Sequence, residues 1–155
     1  MNIRMDNNII EEYLKMSYYI IDVLPKQVPA TRGAQYLKIE QYFLSHPQKD
    51  EIFGKFINVL VKLNCYEDMM ACLPASCQDS SEGEWQQFIN PDAETLRKWM
   101  DEGKLFFVVI ENADTMISIS GDDHYMTIYN PDEEILGLIR LLVTSEGLFL
   151  WKPDV

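Results

Sequence analysis

The sequence predicts an α+β fold in which a mostly antiparallel, mixed sheet carries helices packed on one face. Residues 105–110 are six consecutive apolar residues, a pattern typical of a strand that is covered on both faces. Residues 115–120 and 125–129 alternate apolar with polar side chains, which is the period of half-buried strands. A helical pattern over 130–147 and a short apolar run at 148–151 follow. The C-terminal half is therefore expected to form a helix–β-meander–helix–strand block.

The first half of the chain is expected to supply further helices and two strands. Apolar residues at helical spacing predict a short helix within 1–16, and the aromatic and β-branched residues of 17–24 predict the first strand. Helices are predicted over 35–44 and, after Pro47, along a wide apolar stripe that requires a sheet to lie on. A second strand is predicted within 65–73.

Two segments resemble each other and both predict a helix, a glycine and a strand. Each begins with Asn-Pro-Asp, at 90–92 and at 130–132, and each ends at a glycine, Gly103 or Gly147. Asn is expected to cap the helix, Pro to occupy its first turn, and Gly to take the left-handed conformation that ends it. An internal duplication and the repeated use of good caps both explain this pattern.

Length and composition predict one domain that spans residues 1–155. A chain of 155 residues with 47% hydrophobic residues can bury a substantial core. Residues 74–91 have the composition of a mobile surface loop. The N-terminus lacks a signal-peptide pattern, and six apolar residues fall far short of the roughly 20 needed to span a bilayer. A cytoplasmic location is expected.

The negative charge is concentrated in the second half of the chain. Residues 1–77 hold nine acids and eight bases, a net charge of −1, whereas residues 78–155 hold sixteen acids and five bases, a net charge of −11. Such a field repels nucleic acid and anionic membranes and attracts basic proteins. A basic protein partner is therefore predicted, with no nucleic acid and no membrane. The alternative is that the charge only maintains solubility.

Candidates for catalysis are few. His46 precedes a proline and is expected at the surface, whereas Asp122-Asp123-His124 places three potential ligands together. Neighbouring residues of a strand point to opposite faces, and no second ligand cluster accompanies them, so a solvated hairpin turn is the preferred interpretation. Phosphate-binding glycine motifs are absent from the sequence. No catalytic residue, metal or cofactor is predicted.

These observations favour a non-enzymatic, acidic, cytoplasmic binding module that docks a basic partner through its C-terminal half. An immunity or antitoxin protein that neutralises a toxin nuclease is one protein of this class. The residues expected to contact the partner are Asp79, Glu82, Glu84, Asp122, Asp123 and Tyr125. Two alternatives remain open. One is a small-ligand or metal-dependent enzyme domain centred on Asp122, Asp123 and His124 and extended by the Tyr125, Thr127 and Tyr129 face, and the other is a self-associating structural subunit.

Overall fold

One antiparallel sheet organises the structure, a computed structural model that describes residues 7–73, 85–88 and 92–154. Its strands are β1 (Tyr18–Asp22), β2 (Met69–Cys72), β3 (Trp85–Phe88), β4 (Leu105–Ile110), β5 (Thr115–Ser120), β6 (Tyr125–Tyr129) and β7 (Phe149–Trp151). They are arranged in the order β3-β2-β4-β5-β6-β1-β7, and every neighbouring pair is antiparallel. The predicted α+β class and the predicted meander of β4, β5 and β6 are confirmed.

Five helices accompany this sheet in the described part of the chain. They are α1 (Asn7–Leu14), α2 (Gly33–Phe43), α3 (Gln48–Leu63), α4 (Ala93–Asp101) and α5 (Glu133–Ser145). Short 3-10 turns at Ala30–Arg32 and Glu111–Ala113 complete the described secondary structure. Among the described helices, none is both long and apolar enough to cross a membrane.

The main core lies between one face of the sheet and the helices α3, α4 and α5. Because side chains alternate along a strand, Phe106, Val108 and Ile110 of β4 point to the same face as Ile117 and Ile119 of β5. The helices cover this face with Ile52, Phe53, Phe56, Ile57, Val59, Leu60, Leu63, Leu96, Met100, Ile135, Leu136, Ile139 and Val143. The wide apolar stripe of α3 thus lies on the sheet, as its sequence predicts.

A smaller cluster lies on the opposite face of the sheet. Phe107 and Val109 of β4 and Met116 of β5 pack there against Ile10 and Tyr13 of α1. The unbroken apolar run of β4 therefore has its predicted cause, since both of its faces are covered. The helical layer predicted on one face is present, and α1 adds a cover on part of the other face.

The caps of α4 and α5 correct one expectation. The Asp92 side chain accepts hydrogen bonds from the amides of Glu94 and Thr95, and the Asp132 side chain accepts one from Ile135. The helices therefore begin two residues later than Asn capping implied, because a carboxylate satisfies the open amides and the positive helix end. Asn130 is instead a positive-φ residue, at 59°, and Asn90 lies outside the described residues. The predicted left-handed glycines are confirmed, with φ of 72° at Gly103 and 73° at Gly147.

The segment expected to be a loop at 74–91 contains a strand. Trp85–Phe88 pairs with β2 as the edge strand β3. The polar residues before Trp85 led to the loop interpretation. The strand forms because the backbone of Trp85–Phe88 pairs with β2, which a local sequence pattern does not show. Residues 74–84 and 89–91 lie outside the described residues.

The turn between β5 and β6 is held tightly against the end of α4. A Cβ atom at Gly121 would overlap the carbonyl oxygen of Met100 and lie 2.7 Å from the Cα atom of Gly103. The Gly121 amide also donates a hydrogen bond to the Lys104 carbonyl oxygen at 3.0 Å. Only glycine permits this approach. The turn therefore positions Asp122, Asp123 and His124, which follow it.

Candidate functional site

His124 lies completely buried at the end of the sheet where β1 ends and β6 begins. Asp22, the last residue of β1, is opposite Tyr125, the first residue of β6, and His124 directly precedes this pair. The interpretation of His124 as part of a solvated turn is therefore wrong. The physical reason is that α2, which is distant in sequence, brings two side chains over the imidazole.

The imidazole contacts groups from two separate elements. Its Nδ1 lies 3.3 Å from the Oδ1 atom of Asp22, in an ion-pair contact without the alignment of a hydrogen bond. Its Nε2 lies 3.1 Å from the hydroxyl of Tyr36 and 3.7 Å from a carboxylate oxygen of Glu40, both on α2. Asp22 is itself buried and accepts a hydrogen bond from the Val23 amide at 2.7 Å. His124 therefore joins the sheet to α2.

Burial and charge act on His124 in opposite directions. Burial lowers the pKa of the imidazole, whereas the close contact with the Asp22 carboxylate and the charge of Glu40 raise it. The carboxylates prevail, so the pKa of His124 lies above its ordinary value. The site thus favours the charged imidazolium between two carboxylates.

The order Asp22–His124–Tyr36 matches an acid–base relay, in which a carboxylate orients an imidazole that faces a hydroxyl. The protonation of Tyr36 argues against nucleophilic use, because burial and the charges of Asp22 and Glu40 raise its pKa to about 12. The phenol therefore remains protonated at neutral pH. Nor does any group of three or more His, Cys, Asp or Glu residues in the described part of the chain lie where it could hold a metal ion.

Asp123 experiences neighbouring negative charge without full compensation. Burial raises its pKa, the charge of His124 lowers it, and the carboxylates of Asp122 and Glu40 raise it further. The net effect is a pKa above the ordinary value. We call the surface formed by Glu40, Asp122, Asp123 and Tyr125 the acidic end. Here Asp122 is exposed, while Glu40, Asp123 and Tyr125 are half-buried.

Many other acids of the second half have partners within the chain. Asp92 and Asp132 cap helices, and Tyr13 donates a hydrogen bond to Asp114 at 2.7 Å. Further carboxylates form ion pairs: Asp101 with Arg97 at 3.1 Å, Glu102 with Lys104 at 2.8 Å, and Glu146 with Lys62 at 2.9 Å. These residues have a structural role, which separates them from Asp122 and Asp123 in the acidic end.

Three of the six predicted contact residues, Asp122, Asp123 and Tyr125, therefore lie together in the acidic end. The other three, Asp79, Glu82 and Glu84, lie outside the described residues.

A cavity of about 210 Å³ lies beside the buried imidazole cluster. Asp22 and Tyr36 line it together with Lys26, Val28 and Trp151, and Gln27 completes the wall. The wall combines a carboxylate, a phenol, an indole and a lysine, so it does not select one sign of charge.

Sequence reasoning missed Asp22, Tyr36 and Glu40. Two signals for them exist in the sequence. Asp22 is the one charged residue within the predicted strand 17–24, and Tyr36 and Glu40 are four residues apart, on one face of the predicted helix. The sequence does not show that these two features meet at His124, because their contact depends on the packing of α2. Comparisons with protein-family models, with curated proteins and with solved structures find no match to this chain.

Proposed function

We propose that the protein is a non-enzymatic binding module that docks a basic protein through the acidic end. The observation that carries this proposal is the grouping of the half-buried Asp123 carboxylate with those of Asp122 and Glu40. Burial and these two neighbouring charges raise the pKa of Asp123. A cationic side chain placed at this point would relieve the repulsion among these carboxylates. The ionised Asp123 therefore lowers the stability of the free protein, and a cationic partner would offset this loss.

The wider charge of the chain supports the same choice of partner. The formal net charge is −12, which attracts a basic surface over a distance and accelerates association at low salt. Tyr125 adds a half-buried aromatic ring with a polar hydroxyl, a residue type that is enriched at the centres of interfaces. Charge would therefore direct the encounter, and the tyrosine would contribute contact area.

Within this class, an immunity or antitoxin function is the more specific proposal. A nuclease carries a basic surface for nucleic acid, and an acidic protein that covers this surface blocks it. The proposal predicts that a nuclease encoded beside this protein binds it tightly and loses activity. Inspection of the neighbouring genes, followed by co-expression, tests this prediction.

The general proposal is tested by capture of partners from the native host on the full chain. The Asp122→Asn/Asp123→Asn variant removes two charges from the acidic end, and Glu133→Gln/Glu134→Gln removes two exposed charges from the first turn of α5 as a matched control. We expect a basic protein to be retained at about 50 mM salt by the parent chain and the control, and to be lost at about 500 mM salt. Retention by the Asp122/Asp123 variant, or insensitivity to salt, would overturn the proposal.

The small-ligand alternative rests on the Asp22–His124–Tyr36 arrangement and the adjacent cavity. A thermal-shift screen with divalent metals and metabolites tests it. A clear rise in melting temperature that is lost in Tyr36→Phe would favour a ligand site over protein docking. The mass in solution tests the structural alternative, since a self-associating subunit would be larger than its 18.1 kDa chain.

A further inference from the structure

Glu40 interacts with both the buried His124 and Asp123. Its carboxylate lies 3.7 Å from Nε2 of His124, and its charge also acts on Asp123. Glu40 is partly exposed, with 37% of its side chain accessible, whereas His124 is completely buried. A cation from outside the protein can therefore reach the carboxylate that also interacts with the buried imidazole.

The groups that face His124 come from three sides. Asp22 approaches from β1, Tyr36 and Glu40 from α2, and Asp123 and Tyr125 adjoin it in the chain. Asp22, Asp123 and Glu40 bring negative charge, and the two tyrosines remain neutral because their pKa values are raised. Protonated His124 thus supplies the positive charge that faces these carboxylates.

We propose that the proton on His124 and a cationic side chain of the partner compete for the carboxylates of Glu40 and Asp123, so that docking releases the proton and acidification releases the partner. This inference rests on the proposed function, because it concerns regulation of the same acidic end. A lysine or arginine near Glu40 repels the imidazolium, and by pairing with the Glu40 carboxylate it weakens the attraction that stabilises the imidazolium. Both effects disfavour the protonated form.

The direction of the linkage follows from reciprocity. If docking lowers the pKa of His124, then protonation of His124 lowers the affinity for the partner by the same free energy. The affinity falls about tenfold for each unit by which docking lowers that pKa, once the pH has passed below both values. The affinity changes between the pKa of His124 in the complex and its pKa in the free protein, which lies above the ordinary value of an imidazole.

The experiment uses the full chain and a short oligolysine peptide as the cationic probe. The protein has only two histidines, so imidazole NMR signals report His124 and His46 alone, and His46→Gln assigns them. His46 is exposed and paired with Asp50, which makes it an internal control. The titration is carried out from about pH 5 to pH 8.5 with and without the peptide, and the dissociation constant is measured at both ends of this range.

We expect the peptide to lower the titration midpoint of His124 by about half a unit to one unit, to leave His46 unchanged, and to bind more weakly at acidic pH. In His124→Gln the affinity should vary less across this range, and a residual decrease at the acidic end belongs to the titration of Asp123, whose pKa is raised. If this variant does not fold, Glu40→Gln replaces it and should reduce both the affinity and its pH dependence.

The outcomes separate this inference from the proposed function. Peptide binding that shifts the Asp123 amide but leaves His124 unmoved, or an equal pH dependence in His124→Gln, would overturn the inference alone. A peptide that does not perturb Asp123 at all would overturn docking at the acidic end, and the inference with it.

Discussion

The hydroxyl of Tyr36 lies 3.1 Å from Nε2 of the completely buried His124, and this contact connects α2 to the end of the sheet. The connection matters because α2 contributes no fully buried residue of its own. Tyr36, Glu40 and the partly buried Phe43 are among the side chains through which it contacts the body. The placement of Glu40 in the acidic end therefore depends on this helix.

Tyr36→Phe is expected to lower the free energy of unfolding by about 1–3 kcal/mol, because it leaves a buried imidazole nitrogen without its hydroxyl partner. Tyr42→Phe is the control, since Tyr42 is 54% exposed and its hydroxyl only accepts a 3.3 Å bond from Gln48. We expect the control to stay within about 0.5 kcal/mol. Urea denaturation at neutral pH measures both, and equal effects of the two variants would contradict the assigned role.

The titration of His124 should make the stability of the protein depend on pH. Since its pKa is raised in the folded protein, its contribution to stability is fully present below the unfolded value of about 6.5 and is lost as the pH rises through the folded value. The urea midpoint should therefore decrease between about pH 6 and pH 8.5, and this decrease should be smaller in His124→Gln. An unchanged pH profile in that variant would show that another group is responsible.

Alanine substitutions at Gly121 and Gly137 should change the stability of the protein in opposite directions. Gly121→Ala forces a methyl group onto the Met100 carbonyl and is expected to cost about 3 kcal/mol, because the backbone must shift to relieve the overlap. Gly137→Ala lies in α5, where nothing approaches within 4 Å, and should stabilise the protein by about 0.5–1 kcal/mol. Thermal denaturation distinguishes them. A tolerated Gly121→Ala would be inconsistent with the close approach of the turn to α4.

Removal of the Asp132 cap should weaken α5. Asp132→Ala is expected to cost about 0.5–2 kcal/mol, because the Ile135 amide loses its carboxylate partner at 2.8 Å. Glu133→Ala removes a charge one residue later without removing the cap and should cost less. Urea midpoints of the two variants give the comparison, and the cap assignment fails if Glu133→Ala is the more harmful.

Local patterns predicted the elements well. The unbroken run of β4, the alternation of β5 and β6 and the stripe of α3 each depend on residues close in sequence, and the structure has all of them. The strand β3 was missed, because its pairing with β2 depends on a partner and not on its own pattern. Asn130 was predicted to cap α5, whereas Asp132 caps it in the structure, and both residue types cap helices well.

The site was predicted only in part. Asp122, Asp123 and Tyr125 were chosen because they are close in the sequence, and the structure adds Glu40 beside Asp123 and Tyr125, while their contact with a partner stays a prediction. His124 was expected in solvent, since the sequence does not reveal that Asp22 and α2 enclose it. Contacts between residues 88 positions apart, as for Tyr36 and His124, depend on tertiary packing that a single sequence does not specify.

The stability of Asp123→Asn in the free protein tests most directly whether the ionised Asp123 destabilises the fold in the absence of a partner. The pKa of Asp123 is raised, so its ionised form is disfavoured by folding, and the penalty appears as the pH rises through the unfolded and folded values. We expect Asp123→Asn to raise the urea midpoint at pH 7 and low salt, with no gain at acidic pH where Asp123 is protonated. Asp101→Asn, which loses an ion pair with Arg97, should not raise it. A lower midpoint for Asp123→Asn at pH 7 would show that this carboxylate stabilises the free fold, which would contradict an acidic end held ready for a basic partner.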